Sequence, residues 1–263
     1  MNIIFSKYHG TGNDFIIIDN RSLEFNPTKE LIAKLCHRRF GIGADGVMIL
    51  EKNSDYDFSM KYFNADGNEG TMCGNGGRCI VTFAHNLGII KKFTKFTAID
   101  GEHTAEILDK NDNAFIVNLK MQDVENIIVY EDNYFIDTGS PHYVSFVENL
   151  EKFDVLREGK KIRNSKEFMP NGTNVNFVEV RGENLFVRTY ERGVENETYS
   201  CGTGVTASAI AFSLRENRIV ENILTRGGKL SVKFEKEGNS FTNIHLIGPA
   251  SFVFAGEILI NDC

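Results

Sequence analysis

Short apolar or alternating runs, each bounded by glycine, asparagine or aspartate, dominate the chain. Ile3–Ser6, Phe15–Asp19, Val47–Glu51, Phe58–Phe63, His103–Leu108 and Ala114–Asn118 read as strands in the first half. Tyr134–Thr138, Tyr143–Val147, Asn176–Arg181, Leu185–Tyr190, Lys229–Phe234, Asn243–Ile247 and Phe252–Ile260 continue the pattern in the second. Arg181-Gly182-Glu183-Asn184 and Glu237-Gly238-Asn239 are hairpin signals, so neighbouring strands are expected to run antiparallel. Helical periodicity is sparse. Asn26-Pro27 predicts an N-cap followed by proline at the first helical position, and Leu31, Ile32, Leu35 and Cys36 then share one face. Two more helices are expected after glycine-rich turns, starting near Gly76 and Gly204.

Those two turns match each other. Met72-Cys73-Gly74-Asn75-Gly76-Gly77 leads into apolar Ile80–Ala84, and Ser200-Cys201-Gly202-Thr203-Gly204-Val205 leads into Ala209–Phe212. Each is Cys-Gly-x-Gly, and each follows a β-prone run and a polar loop, opened by Tyr62-Phe63-Asn64 and by Thr189-Tyr190-Glu191. The cysteines are 128 residues apart (201 − 73), close to half of the 263-residue chain. A repeat of that length implies duplication of an α/β half, since solenoid periods are roughly 20–50 residues. Two such halves facing each other would put one cysteine on each side of a cleft.

Composition narrows the field. With 41% hydrophobic and 25% charged residues, the chain is of ordinary soluble globular type. A net charge of −7 with scattered lysines and arginines leaves no nucleic-acid footprint. The densest basic stretch, Lys91–Lys95, is expected to be a solvated loop. The N-terminal residues lack the charged region and long apolar core of a signal peptide, and no apolar run nears the roughly 20 residues of a membrane span. A soluble, cytoplasmic protein with no membrane partner is expected. Cys36, Cys73, Cys79, Cys201 and Cys263 are odd in number and widely spaced, which argues against a disulfide framework. Cys73 and Cys79 followed by His85 fit no common zinc spacing, so no metal site is expected. Gly41–Gly46 matches G-x-G-x-x-G, but a helix precedes it and strand-like Val47–Leu50 follows, the reverse of a dinucleotide site.

A cysteine at a helix start has distinctive chemistry. The helix N-terminus presents backbone N–H groups and partial positive charge, and glycines let a ligand approach them closely. A thiol there has its pKa lowered from about 8.5 toward neutrality. Either turn alone reads as structural, because free cysteines are commonly buried and inert. Two matching turns instead fit inversion of a stereocentre, which needs a base on one face of a carbon and an acid on the other. Paired helix N-termini would stabilise charge developing on the substrate carboxylate. Cys36 reads as core, Cys79 as helix packing, and nothing assigns chemistry to Cys263.

At these residues the sequence resembles the diaminopimelate epimerase family along essentially its whole length. The supporting motifs, in order, are His9-Gly10-Thr11-Gly12-Asn13-Asp14-Phe15, Gly41–Gly46, Phe63-Asn64-Ala65-Asp66-Gly67 and Met72-Cys73-Gly74-Asn75-Gly76. Gly139-Ser140-Pro141-His142, Asn174-Val175-Asn176-Phe177, Tyr190-Glu191-Arg192-Gly193 and Cys201-Gly202-Thr203-Gly204 complete the set. The resemblance implies interconversion of LL- and meso-diaminopimelate, for lysine and peptidoglycan precursor synthesis, without pyridoxal phosphate or metal. It implies an α+β fold of two pseudo-symmetric halves, each a mostly antiparallel sheet around a central helix, with the active site in the cleft between them. The expected halves are residues 1–118, joined by a C-terminal strand at about 251–263, and residues 119–250. Cys73 and Cys201 would be the acid–base pair, and His142 and Glu191 would tune their pKa values. Asn13, Asn64, Gly74, Asn75, Asn174, Glu191, Arg192, Gly202 and Thr203 would bind substrate. A homodimer is implied by the family alone.

Taken singly, Glu191-Arg192 reads as a surface strand end, His142 as a turn residue, and Asn13 and Asn64 as turn formers. Gly46 and Ser140 depart from the family pattern, where glutamine occurs in some members and asparagine in many. The link from Glu191 to Cys201 is one residue longer than is usual there, which predicts a loop insertion. On residues alone two other readings stay open: a racemase of a monocarboxylic amino acid on the same fold, and an amino-acid-binding protein or thiol redox sensor.

Overall fold

The computed structural model describes residues 2–111 and 114–260, so Cys263 lies outside the described residues. Lys120–Gly248 forms one compact unit, and the described residues up to Leu119 and from Pro249 form the other. The first contains β1 (Asn2–Gly10), β2 (Asn13–Asp19), α1 (Lys29–Cys36), β3 (Gly46–Glu51), β4 (Phe58–Asn64) and β5 (Glu69–Gly70). It continues with α2 (Gly74–Asn86), β6 (Phe93–Ala98), β7 (Gly101–Asn111) and β8 (Ala114–Lys120). The second contains β9 (Ile127–Tyr130), β10 (Asn133–Asp137), β11 (Pro141–Phe146), α3 (Val155–Arg163), β12 (Asn174–Arg181) and β13 (Asn184–Glu191). After these come β14 (Asn196–Thr198), α4 (Gly202–Glu216), β15 (Asn222–Thr225) and β16 (Gly228–Glu237). The last strand, β17 (Ser240–Leu259), serves both units: Ser240–Ile247 pairs with β16 and Ser251–Leu259 with β1. Pro249, which has no N–H to give a ladder, falls where the partner changes.

The two units repeat one topology. In the first, β2 runs parallel to β3, β3 antiparallel to β4, β4 antiparallel to β5 and parallel to β6, and β6 antiparallel to β7. In the second, β11, β12, β13, β14, β15 and β16 repeat those pairings in the same order and sense. Gly182 and Gly238, both with φ near +60°, close the two hairpins that the sequence marks. α2 is buried from Gly74 to Ala84, and almost all of α4 is buried from Gly202 to Ser213. Helices buried on all sides have to be enclosed, and each is packed among the strands of its own unit.

Several elements depart from expectation. α1 is capped by Thr28, whose hydroxyl accepts the Leu31 N–H at 3.2 Å, so Asn26-Pro27 precedes the cap. Lys91–Lys95 is not a loop throughout: β6 opens at Phe93, Thr94 is buried, and Lys92 and Lys95 pair with Glu106 and Glu102 across the strand. Asn243–Ile247 and Phe252–Leu259 belong to one strand, β17, which stops one residue short of Ile260. α3 carries too thin an apolar stripe to register as a helix, with Val155 and Gly159 its buried residues. Gly159 is glycine because a Cβ there would lie 2.4 Å from Tyr190 Cβ. Among the described residues no helix is long and apolar enough to cross a membrane.

Candidate active site

In the first unit, α2 begins two residues before the expected Gly76 and Cys73 is its N-cap. Extended backbone at Cys73 (φ −102°, ψ 146°) lets Sγ accept the Gly76 N–H at 3.2 Å, while the Gly77 N–H closes on the Cys73 carbonyl at 2.8 Å. A Cβ at Gly76 would lie 2.2 Å from Met48 Cε and 3.0 Å from Cys73 Sγ, so a side chain there would crowd the thiol. Arg78 is wholly buried next to this cap. Its guanidinium donates to the Gly74 carbonyl at 3.0 Å and to Asn75 Oδ1 at 2.9 Å. Burial lowers its pKa to about 10, opposed by the Cys79 and Cys73 sulfurs.

From Asn75 a line of hydrogen bonds runs outward. Its Nδ2 donates to Asn13 Oδ1 at 3.3 Å, and Asn13 Nδ2 donates to Asp45 Oδ2 at 2.8 Å. Asn13 opens β2 directly after Thr11-Gly12, whose φ values of +48° and +86° make a tight two-residue hairpin. Arg38 bridges Asp45 and Asp14 at 2.7 Å each, and Lys7 pairs with Asp14 at 2.7 Å. Burial would raise the Asp14 pKa, but hydrogen bonds from Arg38 and Lys7 outweigh it and hold the carboxyl well below its usual range. The glycine-rich Gly41–Gly46 stretch is thus an organising loop that delivers Asp45 to Asn13. Asn64 ends β4, exposed, in a turn closed by Asn64 N–H to the Asn68 carbonyl at 2.9 Å.

In the second unit Cys201 is the N-cap of α4 and is buried, and the Val205 N–H closes on its carbonyl at 2.9 Å. Its Sγ lies 3.4 Å from Thr203 Oγ1, which lies 2.9 Å from His142 Nε2. His142 is wholly buried. Burial, reinforced by the charge of Arg192, holds its pKa near 3, so the ring is neutral at ordinary pH. Glu191 ends β13 opposite Asn196, and Arg192 follows. The Arg192 N–H donates to Asn174 Oδ1 at 2.9 Å, and Asn174 Nδ2 donates to Ser140 Oγ at 2.9 Å and the Pro141 carbonyl at 3.0 Å. Asn174 therefore latches the arginine turn to the Ser140-Pro141 turn. Arg192 lines a cavity of about 450 Å³ with Phe135, Pro141, Phe168 and Asn171.

Within the first unit, then, Cys73, Gly74, Asn75 and Asn13 come together; within the second, Cys201, Gly202 and Thr203 adjoin His142, while Asn174 and Arg192 join the Ser140-Pro141 turn beside it. The sequence reading missed Asp45, Arg38, Arg78 and Asn176. Arg78 had a signal, as the only cation in the apolar stretch from Gly76 to Ala84, and Asn176 alternates with Asn174 onto one face of β12. Gly46 has no room for a side chain: its Cβ would lie 2.6 Å from the Phe63 carbonyl and from the Tyr62 ring. Ser140 is spent on Asn174. Cys36 and Cys79 are core thiols that burial pushes upward, Cys36 to about 12. Among the described residues no group of three or more His, Cys, Asp and Glu could hold a metal ion.

The fold is shared with a PhzF-family phenazine biosynthesis protein of Bacillus anthracis (TM-score 0.77, 15% identity, covering 99% of this chain and 100% of that one). It is shared too with a hydroxyproline epimerase from Agrobacterium vitis (TM-score 0.69, 16% identity, covering 99% and 93%). At such identities the likeness defines a class by fold alone: sheet-dominated α+β proteins with few helices. Sequence goes further. The profile of the diaminopimelate epimerase family matches residues 5–126 and 134–253. The diaminopimelate epimerase of Flavobacterium psychrophilum is 54% identical over 259 residues, covering 96% of this chain and 98% of the relative. That of Chlorobaculum tepidum is 43% identical over 266 residues, covering 95% and 99%. The chain belongs to the diaminopimelate epimerase family.

Proposed function

We propose that this chain is an isomerase that interconverts LL- and meso-diaminopimelate, with Cys73 and Cys201 as a two-thiol acid–base pair. The observation that carries the reading is the repeated cap: in each of two units of one topology, a cysteine begins the central buried helix. One thiolate takes the α-proton and becomes a thiol. The other thiol returns a proton to the opposite face and becomes a thiolate, so a turnover exchanges the roles and the reverse reaction uses the same pair. The α-carbanion spreads charge onto its carboxylate. Backbone N–H groups of Gly74-Asn75 and Gly202-Thr203, at the positive ends of α2 and α4, are the groups suited to hold it.

A substrate with two carboxylates and two ammonium groups suits Arg192 as a carboxylate fork and Glu191, Asn13, Asn64 and Asn174 as partners for the rest. His142 and Glu191 act on the thiols rather than on the substrate carbon. The working form we propose is a cytoplasmic homodimer, which sedimentation velocity would show as a single species of twice the chain mass.

Incubating reduced enzyme with LL-diaminopimelate in D2O should place deuterium at one α-carbon only; no exchange overturns the proposal. Arg192→Ala should raise KM for diaminopimelate by at least tenfold. Unchanged turnover would point instead to a monocarboxylic amino acid as substrate.

A further inference from the structure

Asn176 takes no part in the chemistry above, yet it sets the direction of the hydrogen bonds that run from His142 through Thr203 to Cys201. It is wholly buried on β12. Its Nδ2 faces the Tyr143 carbonyl at 3.1 Å and His142 Nδ1 at 3.0 Å, and its Oδ1 accepts the Thr189 hydroxyl at 2.9 Å. A carbonyl can only accept, so Tyr143 fixes the amide with its NH2 group on that side. The second N–H then points at His142 Nδ1, which must be bare. The hydrogen of the neutral ring therefore sits on Nε2 and is donated to Thr203 Oγ1 at 2.9 Å. Having accepted there, the threonine hydroxyl keeps its own hydrogen free to be donated to Cys201 Sγ, 3.4 Å away.

The repeat shows that this amide is not demanded by the fold. The residue 128 positions earlier (176 − 48) is Met48, at the same step of the equivalent strand. A Cβ on Gly204 would lie 2.2 Å from Asn176 Oδ1, just as a Cβ on Gly76 would lie 2.2 Å from Met48 Cε. One unit fills the place with an apolar side chain and the other with a buried amide aimed at a histidine.

We propose that Asn176 is a positioning residue: it locks His142 in the Nε2–H tautomer and so makes Thr203 a hydrogen-bond donor to Cys201, favouring its thiolate. The inference rests on the reading of Cys201 as one of the acid–base thiols. The charge acting on His142 from outside this chain of bonds is that of Arg192, on the turn after β13.

Nitrogen-15 NMR of the full, substrate-free chain, with His142 assigned by His142→Gln, reads the tautomer directly. A bare Nδ1 and protonated Nε2 are expected from pH 5 to 8; a protonated Nδ1 overturns the proposal. Asn176→Asp supplies a second test. Its carboxylate would demand a hydrogen on Nδ1, leaving Nε2 to accept from Thr203, whose lone pairs would then face Cys201 and favour the thiol. The pH profile of iodoacetamide alkylation, read by peptide mass, should move up by about one unit at Cys201 and stay put at Cys73. Coincident Cys201 profiles overturn the proposal, and if the variant fails to fold the wild-type NMR result decides. Wild-type enzyme that shows the expected tautomer but exchanges no deuterium with diaminopimelate keeps this proposal and removes the epimerase reading; the opposite pair of results does the reverse.

Discussion

Against α2, the β3 residue facing Gly76 is Met48; against α4, the β12 residue facing Gly204 is Asn176. Phe15 stands beside Gly46 in the parallel β2–β3 ladder, where the second unit has His142 beside Asn174. Even the first helical carbonyl is satisfied in two ways, by the Arg78 guanidinium at Gly74 and by the Thr206 hydroxyl at Gly202, each at 3.0 Å. The first cysteine thus has a buried cation near its cap, and the second a chain of neutral hydrogen bonds. Duplication reproduces the placement of a thiol, while the residues packed against each helix set its electrostatics separately. For a two-base reaction that difference matters, because the two thiols must be in opposite protonation states at the start of each turnover.

The most severe way to probe the comparison is to remove each thiol. Cys73→Ala and Cys201→Ala should each lower epimerisation by about a thousandfold or more, followed as loss of product in a coupled or chiral assay. A variant keeping a tenth of wild-type turnover would take that thiol out of the acid–base pair.

Smaller, and more telling about the supports, is the glycine pair. Gly204→Ala would push the Asn176 amide off its three partners, costing about 2–3 kcal/mol. Gly76→Ala meets the end of a flexible methionine and should cost about 1 kcal/mol or less. Urea unfolding gives both numbers, and equal costs would contradict the contrast between a tethered amide and an adaptable side chain.

Acid should distinguish the units most gently. The unfolded chain protonates His142 below about pH 6.5, whereas the folded chain resists until near pH 3. Stability from this residue is therefore complete above 6.5 and declines as pH falls from there, by up to about 1.4 kcal/mol per pH unit. Asp14, in the first unit, has a lowered pKa, so its contribution is complete above the ordinary carboxylate range and is lost only below it. Hydrogen exchange resolved by peptide should loosen residues 120–248 first as pH drops below 6, and His142→Gln should flatten that response. Simultaneous loosening of both units would show that His142 does not govern it.

The parts of this molecule that were legible in the sequence are the local ones. Alternation located most strands, glycines at positive φ located the hairpins, and the Cys-Gly-x-Gly turns located both helix starts to within two residues. What escaped depends on partners far away in sequence or on signals too short to stand out. β5 has two residues and β14 three, and the cap of α1 was settled by a hydroxyl at Thr28 that a proline next door outshone. Asn176 meets His142 only because β11 and β12 run parallel, 34 positions apart in the chain. Arg78 takes its meaning from the Gly74 carbonyl and the Asn75 amide, which the fold brings to it, and Asp45 hid in a glycine-rich stretch that resembles a nucleotide loop without being one.

The passage of β17 through both units has a consequence for how the chain is made. Residues 120–248 are contiguous, so all strands of that unit are at hand once they have left the ribosome. The earlier-made unit must wait, because β1, paired with β2 on one edge, lacks its second antiparallel neighbour until Ser251–Leu259 emerges. Until then β1 keeps one open edge, the kind of surface on which nascent chains mispair. Synthesis order and closing order are therefore reversed: chains truncated at residue 250 and released should yield a protease-resistant fragment from residues 120–248 while the first 119 residues are still being cut.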